Sequence, residues 1–298
     1  MNKNLYVVLM AGGVGTRFWP YSRNSRPKQF LDVLGTGKTL LQSTYERFLP
    51  LCPQENIFIV IHEEHEKLTK EQIAGISADQ LLTEPMRKNT APCIAYACHK
   101  IARLNKEAVV VVSPADHLIL NEEDFQATIR KAAEQAKSQD KLITLGIKPS
   151  RPETGYGYIQ YLESKNPLKK VKTFTEKPNL ELAKTFISSG DFLWNSGIFI
   201  WSTKSVINSL EQNDPELANV FKDGIEFYNT PKEKEFIKQA YNVCKNISID
   251  YSLMENDVYN VTGGYVPADI TGDGVVESAD YSIMENNVYL VIGVLRPF

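Results

Sequence analysis

The sequence predicts an α/β protein built on a mixed, mostly parallel sheet. Three observations carry that expectation. Apolar runs alternate with helical patterns over the first 250 residues, the order left by parallel strands joined through crossover helices. A glycine-rich segment follows the first apolar run directly, where open α/β sheets bind ligands. At 298 residues the chain has room for one large domain or two ordinary ones, with an ample core.

Residues 5–10 read as a buried strand, 56–61 (NIFIVI) as a second, 108–112 (AVVVV) as a third and 141–146 as a fourth. Helical stretches lie between them at 40–49, 91–105 and 122–138, and Thr39 stands as an N-cap before Leu40. A polar stretch over 164–170 precedes another strand at 171–174. From about Asp250 the character changes. Residues 250–259 (DYSLMENDVY) recur thirty positions on as 280–289 (DYSIMENNVY), with eight of ten identical, which marks the end of the chain as a different kind of module.

Composition excludes several classes. Lys and Arg number 33 against 36 Asp and Glu, a net charge of −3 too balanced for gripping nucleic acid through bulk charge. No window approaches 18 uninterrupted apolar residues, so no membrane-spanning helix is expected. The N-terminus runs straight into the first strand with no cleavage pattern of a signal peptide. Cys52, Cys93, Cys98 and Cys244 stand at unrelated spacings without a metal or redox pair, and a reducing, cytoplasmic setting is expected. His62-Glu63-Glu64-His65 is not a zinc-protease motif, because its histidines are three apart rather than four. No Gly-x-Ser-x-Gly nucleophile elbow occurs, and Cys93 and Cys98 fall on an apolar helical stretch as core residues.

The most informative segment is residues 11–20 (AGGVGTRFWP). Gly12, Gly13 and Gly15 allow backbone N–H groups to close on an anion without interference from Cβ atoms. The pattern lacks the terminal Gly-Lys-Ser/Thr of a Walker loop and the third glycine of a dinucleotide fingerprint. Arg17 and Lys28 add cations where phosphate would sit. Asp116 follows the valine strand, so it is expected at the ligand-binding edge of the sheet, where a carboxylate suits Mg²⁺. His117 reads as a packing neighbour.

Residues 12–23 followed by Pro27-Lys28-Gln29-Phe30 resemble the signature of the sugar-phosphate nucleotidyltransferases, in the form found in mannose-1-phosphate guanylyltransferases. Residues 84–92 (EPMRKNTAP), 113–117 (SPADH), 154–159 (TGYGYI), 176–178 (EKP) and 194–199 (WNSGIF) continue the resemblance in the family's order, over roughly residues 5–254. The resemblance implies a Rossmann-like nucleotidyltransferase domain over residues 1–254 that makes GDP-mannose and pyrophosphate from GTP and mannose 1-phosphate. It implies nucleotide binding by Ala11, Gly12, Gly13, Gly15, Thr16, Arg17, Lys88, Asn89 and Thr90. Tyr156, Gly157, Glu176, Lys177 and Asn195 would bind the sugar phosphate, and Arg17, Lys28 and Asp116 would carry the chemistry, with Asp116 on Mg²⁺. Where many members have Arg, this chain has Lys88, which keeps the charge without the planar fork. A homodimer is a further partner the resemblance allows.

Residues 269–280 (DITGDGVVESAD) place oxygen ligands at positions 1, 3, 5 and 12 through Asp269, Thr271, Asp273 and Asp280, a glycine at position 6 and the Val275 carbonyl at position 7. That is the logic of a calcium loop. It resembles one repeat of a dockerin, which implies Ca²⁺ and a cohesin-like docking partner for a segment over 255–298 that includes a helix at 281–289. The counterpart of the first loop is absent upstream of Asp250, and the Trp-Ser-Asp segment that supplies a second metal carboxylate in the enzyme family does not follow Glu255. Two readings stand: a guanylyltransferase with a foreign ending, or an inert truncated domain whose tail binds calcium and a partner.

Overall fold

The computed structural model describes residues 1–13, 18–164, 168–175, 177–250 and 252–253. In chain order the strands are β1 (Leu5–Met10), β2 (Ile57–His62), β3 (Leu81–Glu84), β4 (Val109–Pro114), β5 (Ile143–Ile147), β6 (Tyr158–Tyr161), β7 (Val171–Thr175) and β8 (Phe192–Ser202). The helices are α1 (Leu40–Phe48), α2 (Glu66–Gln72), α3 (Thr90–Leu104), α4 (Glu122–Ser138), α5 (Leu180–Ser189), α6 (Thr203–Asn213), α7 (Pro215–Lys222) and α8 (Glu233–Val243). All eight strands join one sheet in the order β3-β2-β1-β4-β8-β6-β7, with β5 also paired to β8.

The half that holds β3, β2, β1 and β4 is parallel. Its strands are short apolar runs buried along nearly their whole length, as strands covered on both faces must be. β8 pairs antiparallel with β4, β5 and β6 and extends the sheet. Its inner half puts Phe199, Ile200 and Trp201 into the main core. Its outer half puts Phe192 and Trp194 into a separate small cluster with Tyr158, Ala183 and Phe186. One strand therefore joins the phosphate side of the molecule to the lobe expected to hold a sugar.

The expected N-cap at Thr39 is present in full. Its hydroxyl accepts from the Gln42 N–H while the Gln42 side chain accepts from the Thr39 N–H, a reciprocal box that satisfies two otherwise unpaired donors. No helix among the described residues is long and apolar enough to cross a membrane. All four cysteines are buried and unpaired, and Cys93 and Cys98 lie in the core on α3 as expected.

Candidate active site

β1 and β4 run side by side with Met10 opposite Pro114, so both release their chains at one edge of the sheet. Ala11 extends the β1 pairing by donating its N–H to the Val60 carbonyl at 2.8 Å, and the Ala115 N–H reaches the Met10 carbonyl at 3.2 Å. Gly12 and Gly13 begin the turn there, and Asp116 follows on the neighbouring strand, at the expected edge. Gly15, Thr16 and Arg17 lie outside the described residues.

A short helical turn, Lys28–Phe30, faces this edge. Phe30 is fully buried and anchors the turn in the core, while the Phe30 carbonyl accepts from the Gln72 amide at 3.1 Å. The anchored turn presents two neighbouring side chains to the site. Lys28 forms an ion pair with Asp116, both about one-quarter exposed, with the ammonium 5.8 Å from the Phe18 ring centre. Gln29 is buried and reaches the glycine turn itself, donating to the carbonyls of Ala11 (2.5 Å) and Gly13 (2.9 Å). Beside Asp116, burial pulls His117 below the usual histidine range, so it stands neutral near pH 7.

The loop expected to meet the base sits at the end of β3. Asn89 adopts φ 66° and caps α3 by accepting from the Thr90 N–H. The segment 244–249 stitches this loop in place. The Ile247 N–H reaches the Lys88 carbonyl at 3.2 Å, the Ala91 N–H reaches the Ile247 carbonyl at 3.1 Å, and the Ile249 N–H reaches the Thr90 hydroxyl at 2.8 Å. Here the structure differs from the sequence reading of Lys88. Its ammonium donates to the Cys244 carbonyl at 3.0 Å, beyond the end of α8, rather than pointing to a ligand. Its neighbour Arg87, to which the sequence reading gives no role, is the cation that reaches the glycine turn, with Nε 3.3 Å from the Gly12 carbonyl.

Under the turn lies Glu84, 5% exposed, with Tyr241 donating to it at 2.9 Å. A Cβ on Gly12 would stand 2.8 Å from the other carboxylate oxygen, so any larger residue there would have to displace the end of the Glu84 side chain. Burial raises the Glu84 carboxyl to about 7, while the Tyr241 hydroxyl and the Arg87 charge pull the other way.

In the lobe expected to hold the sugar phosphate, Tyr156 is 44% exposed and meets the Trp194 ring edge-on at 5.4 Å between centres. The Gly157 carbonyl accepts from the Asn195 N–H at 2.8 Å, and the Asn195 side chain accepts from the Gly197 N–H at 2.9 Å. Gly197 has φ 67°, and a Cβ there would lie 3.5 Å from Pro114, so this lobe abuts the loop that carries Asp116. Lys177 is exposed; Glu176 lies outside the described residues.

Among the described residues no group of three or more His, Cys, Asp or Glu could hold a metal ion. Asp116, paired with Lys28 and partly exposed beside the glycine turn, is an oxygen donor of the kind Mg²⁺ takes, since that ion keeps several waters and needs only one or two carboxylates. Asp269, Thr271, Asp273, Val275, Asp280 and the expected helix at 281–289 lie outside the described residues. The buried Lys100–Glu233 pair is structural. Glu233 accepts from Lys100, Tyr96 and the Asn229 N–H, which fixes α8 to α3.

A mixed sheet whose parallel half delivers a glycine turn, with a lysine and a carboxylate paired at the same edge, is the arrangement in which open α/β proteins hold ligands. The chain belongs to the nucleotidyl transferase family, whose model matches residues 6–240. It is 38% identical over 253 residues to the xanthan biosynthesis protein XanB of Xanthomonas campestris pv. campestris, covering 83% of this chain and 53% of XanB. It is 35% identical over 273 residues to a mannose-1-phosphate guanylyltransferase of Klebsiella pneumoniae, covering 87% of this chain and 56% of that one. The chain thus spans about half the length of these curated relatives. Among solved structures, a Thermus thermophilus protein described as a mannose-1-phosphate geranyltransferase superposes with TM-score 0.75 at 31% identity, over 85% of this chain and 71% of that one.

Proposed function

We propose that this chain transfers a guanylyl group from GTP to mannose 1-phosphate, forming GDP-mannose and releasing pyrophosphate. The observation that carries the reading is the Lys28–Asp116 pair beside the glycine turn, in a chain whose relatives include mannose-1-phosphate guanylyltransferases. The sugar phosphate is already anionic, so its oxygen attacks the α-phosphorus without a general base. The bond from the α-phosphorus to the bridging oxygen breaks, and pyrophosphate leaves with that electron pair. What the protein supplies is alignment and neutralisation of charge. Backbone N–H groups of the glycine turn and Arg17 hold the triphosphate, and Lys28 neutralises charge at the α-phosphate. Asp116 would hold Mg²⁺, which when bound supplies charge neutralisation between the two phosphates. Tyr156, Gly157, Glu176, Lys177 and Asn195 are the residues assigned to bind the sugar phosphate. On the base side, Asn89 and Thr90 shape the loop, and Lys88 acts through its backbone support.

A coupled assay of pyrophosphate release tests this. GTP with mannose 1-phosphate is expected to outpace ATP or UTP with the same sugar, and to outpace UTP with glucose 1-phosphate. Equal rates with UTP and glucose 1-phosphate contradict the guanylyl assignment. Because the family's Trp-Ser-Asp segment is absent, turnover is expected to be reduced more than GTP binding. For the tail, the 269–280 spacing alone supports Ca²⁺, and a cohesin-like partner rests on the same spacing. Calorimetry with millimolar Ca²⁺ should show one site that Asp273→Ala abolishes.

A further inference from the structure

Three successive carbonyls, those of Ala11, Gly12 and Gly13, are each taken by a side chain from elsewhere in the chain. The two amide hydrogens of Gln29 divide between the first and the third, at 2.5 and 2.9 Å, and Arg87 takes the middle one. Glycines are conformationally free, so an unclamped Gly-Gly turn would sample peptide orientations that present carbonyl oxygens to an anion and repel it. Gln29 is 2% exposed and sits on a turn that Phe30 locks into the core, so the clamp is rigid. It is also covalently next to Lys28, so one anchored turn sets both the cation and the anion-binding backbone.

We propose that Gln29 is the positioning residue of the phosphate site. With Arg87 assisting, it holds the carbonyls of residues 11–13 away from the incoming phosphate chain, so that the N–H groups of Gly12 and Gly13, which share peptide planes with the first two of them, can face it. The proposal rests on the triphosphate-binding reading given above, and it extends to any phosphate ligand of this turn. Glutamine is required rather than merely tolerated. Glutamate at this position has the same length, but when ionised it donates no hydrogen and sets a negative charge against two carbonyl oxygens. Protonated, it regains one donor.

The test compares the full chain with Gln29→Glu, Gln29→Met and Arg87→Met. Calorimetry with two probes, inorganic pyrophosphate and Mg-GTP, is run from pH 5.5 to 8.5 alongside thermal melts. Gln29→Met is expected to lose about tenfold in pyrophosphate affinity at every pH, the scale of a lost hydrogen bond or two. Gln29→Glu should lose more than that at pH 8.5 and recover toward the wild type at pH 5.5. A packing role alone would not produce that recovery. Arg87 is exposed, so Arg87→Met should fold regardless and lose a few-fold at all pH values. The inference is overturned if the wild type binds pyrophosphate and Gln29→Glu and Arg87→Met bind it within twofold of the wild type throughout. It is equally overturned if Gln29→Glu is weakened without any pH dependence. If pyrophosphate shows the expected pattern while GTP does not bind, the inference stands and the guanylyl reading fails.

Discussion

Lys28 and Asp116 are bound to each other in a partly exposed site, where an ion pair contributes on the order of 0–1 kcal/mol to stability. Under the proposed function their value to the protein lies in the charge they offer a substrate. Lys28→Ala and Asp116→Ala are therefore expected to lower turnover by about 10²–10³, the usual loss for one well-placed electrostatic contact. Their melting temperatures should stay within a few degrees of the wild type. Paired steady-state rates and melts check this, and parallel losses of activity and stability would contradict it. Both residues are legible in the sequence only in combination: an aspartate after a strand is ordinarily an N-cap or surface-turn residue, and it is the glycine loop and the Pro27-Lys28-Gln29-Phe30 resemblance that single out Asp116 and Lys28. Gln29 is not, since an uncharged amide beside a lysine carries no signal until the turn is seen. Choosing between Arg87 and Lys88 is beyond the sequence for a different reason. Adjacent cations point in different directions, and the direction is set by Cys244, 156 residues away.

At the scale of elements, α3 begins from a backbone conformation that few residues accept. Asn89 stands at φ 66° and ψ −164° and also caps the helix. Asn89→Gly loses only the cap, a cost of a few tenths of a kcal/mol. Asn89→Ala loses the cap and is strained as well, for a total of about 1–3 kcal/mol. Melts of the two variants should separate clearly, with glycine the more stable. Equal melting temperatures would show that the conformation is not required. Helices α1, α3 and α4 are legible to within a residue or two because their apolar periodicity is clear between the first strands. β3 and β6 have four residues each, too few to show a pattern. β8 is hidden by Asn195-Ser196-Gly197 in its middle, where Gly197 takes a positive φ that an ordinary strand residue would avoid.

Across the whole molecule, two buried groups give stability opposite pH dependences. Burial lowers His99 to about 4, so its contribution is full above 6.5, its ordinary value, and is lost as pH falls toward 4. Burial raises Glu84 to about 7, so its contribution is full below 4.5 and is lost as pH rises toward 7. Each is worth about 3 kcal/mol at full weight, and between pH 4.5 and 6.5 the two slopes offset each other. Glu84→Gln removes one of them. Its melting temperature should rise with pH from 4.5 to 6.5 more steeply than that of the wild type, and identical slopes would contradict the placement of a protonated carboxyl under Gly12.

Under the proposed function, the edge formed by β1 and β4 joins a sugar phosphate to a nucleotide rather than hydrolysing it. Phosphorus NMR of the full chain with GTP, mannose 1-phosphate and Mg²⁺ tests that directly. The signals of the GTP β- and γ-phosphates should give way to free pyrophosphate, in step with a new sugar-nucleotide diphosphate in equal amount. GDP and orthophosphate appearing in place of that pair, while mannose 1-phosphate stays unchanged, would contradict it.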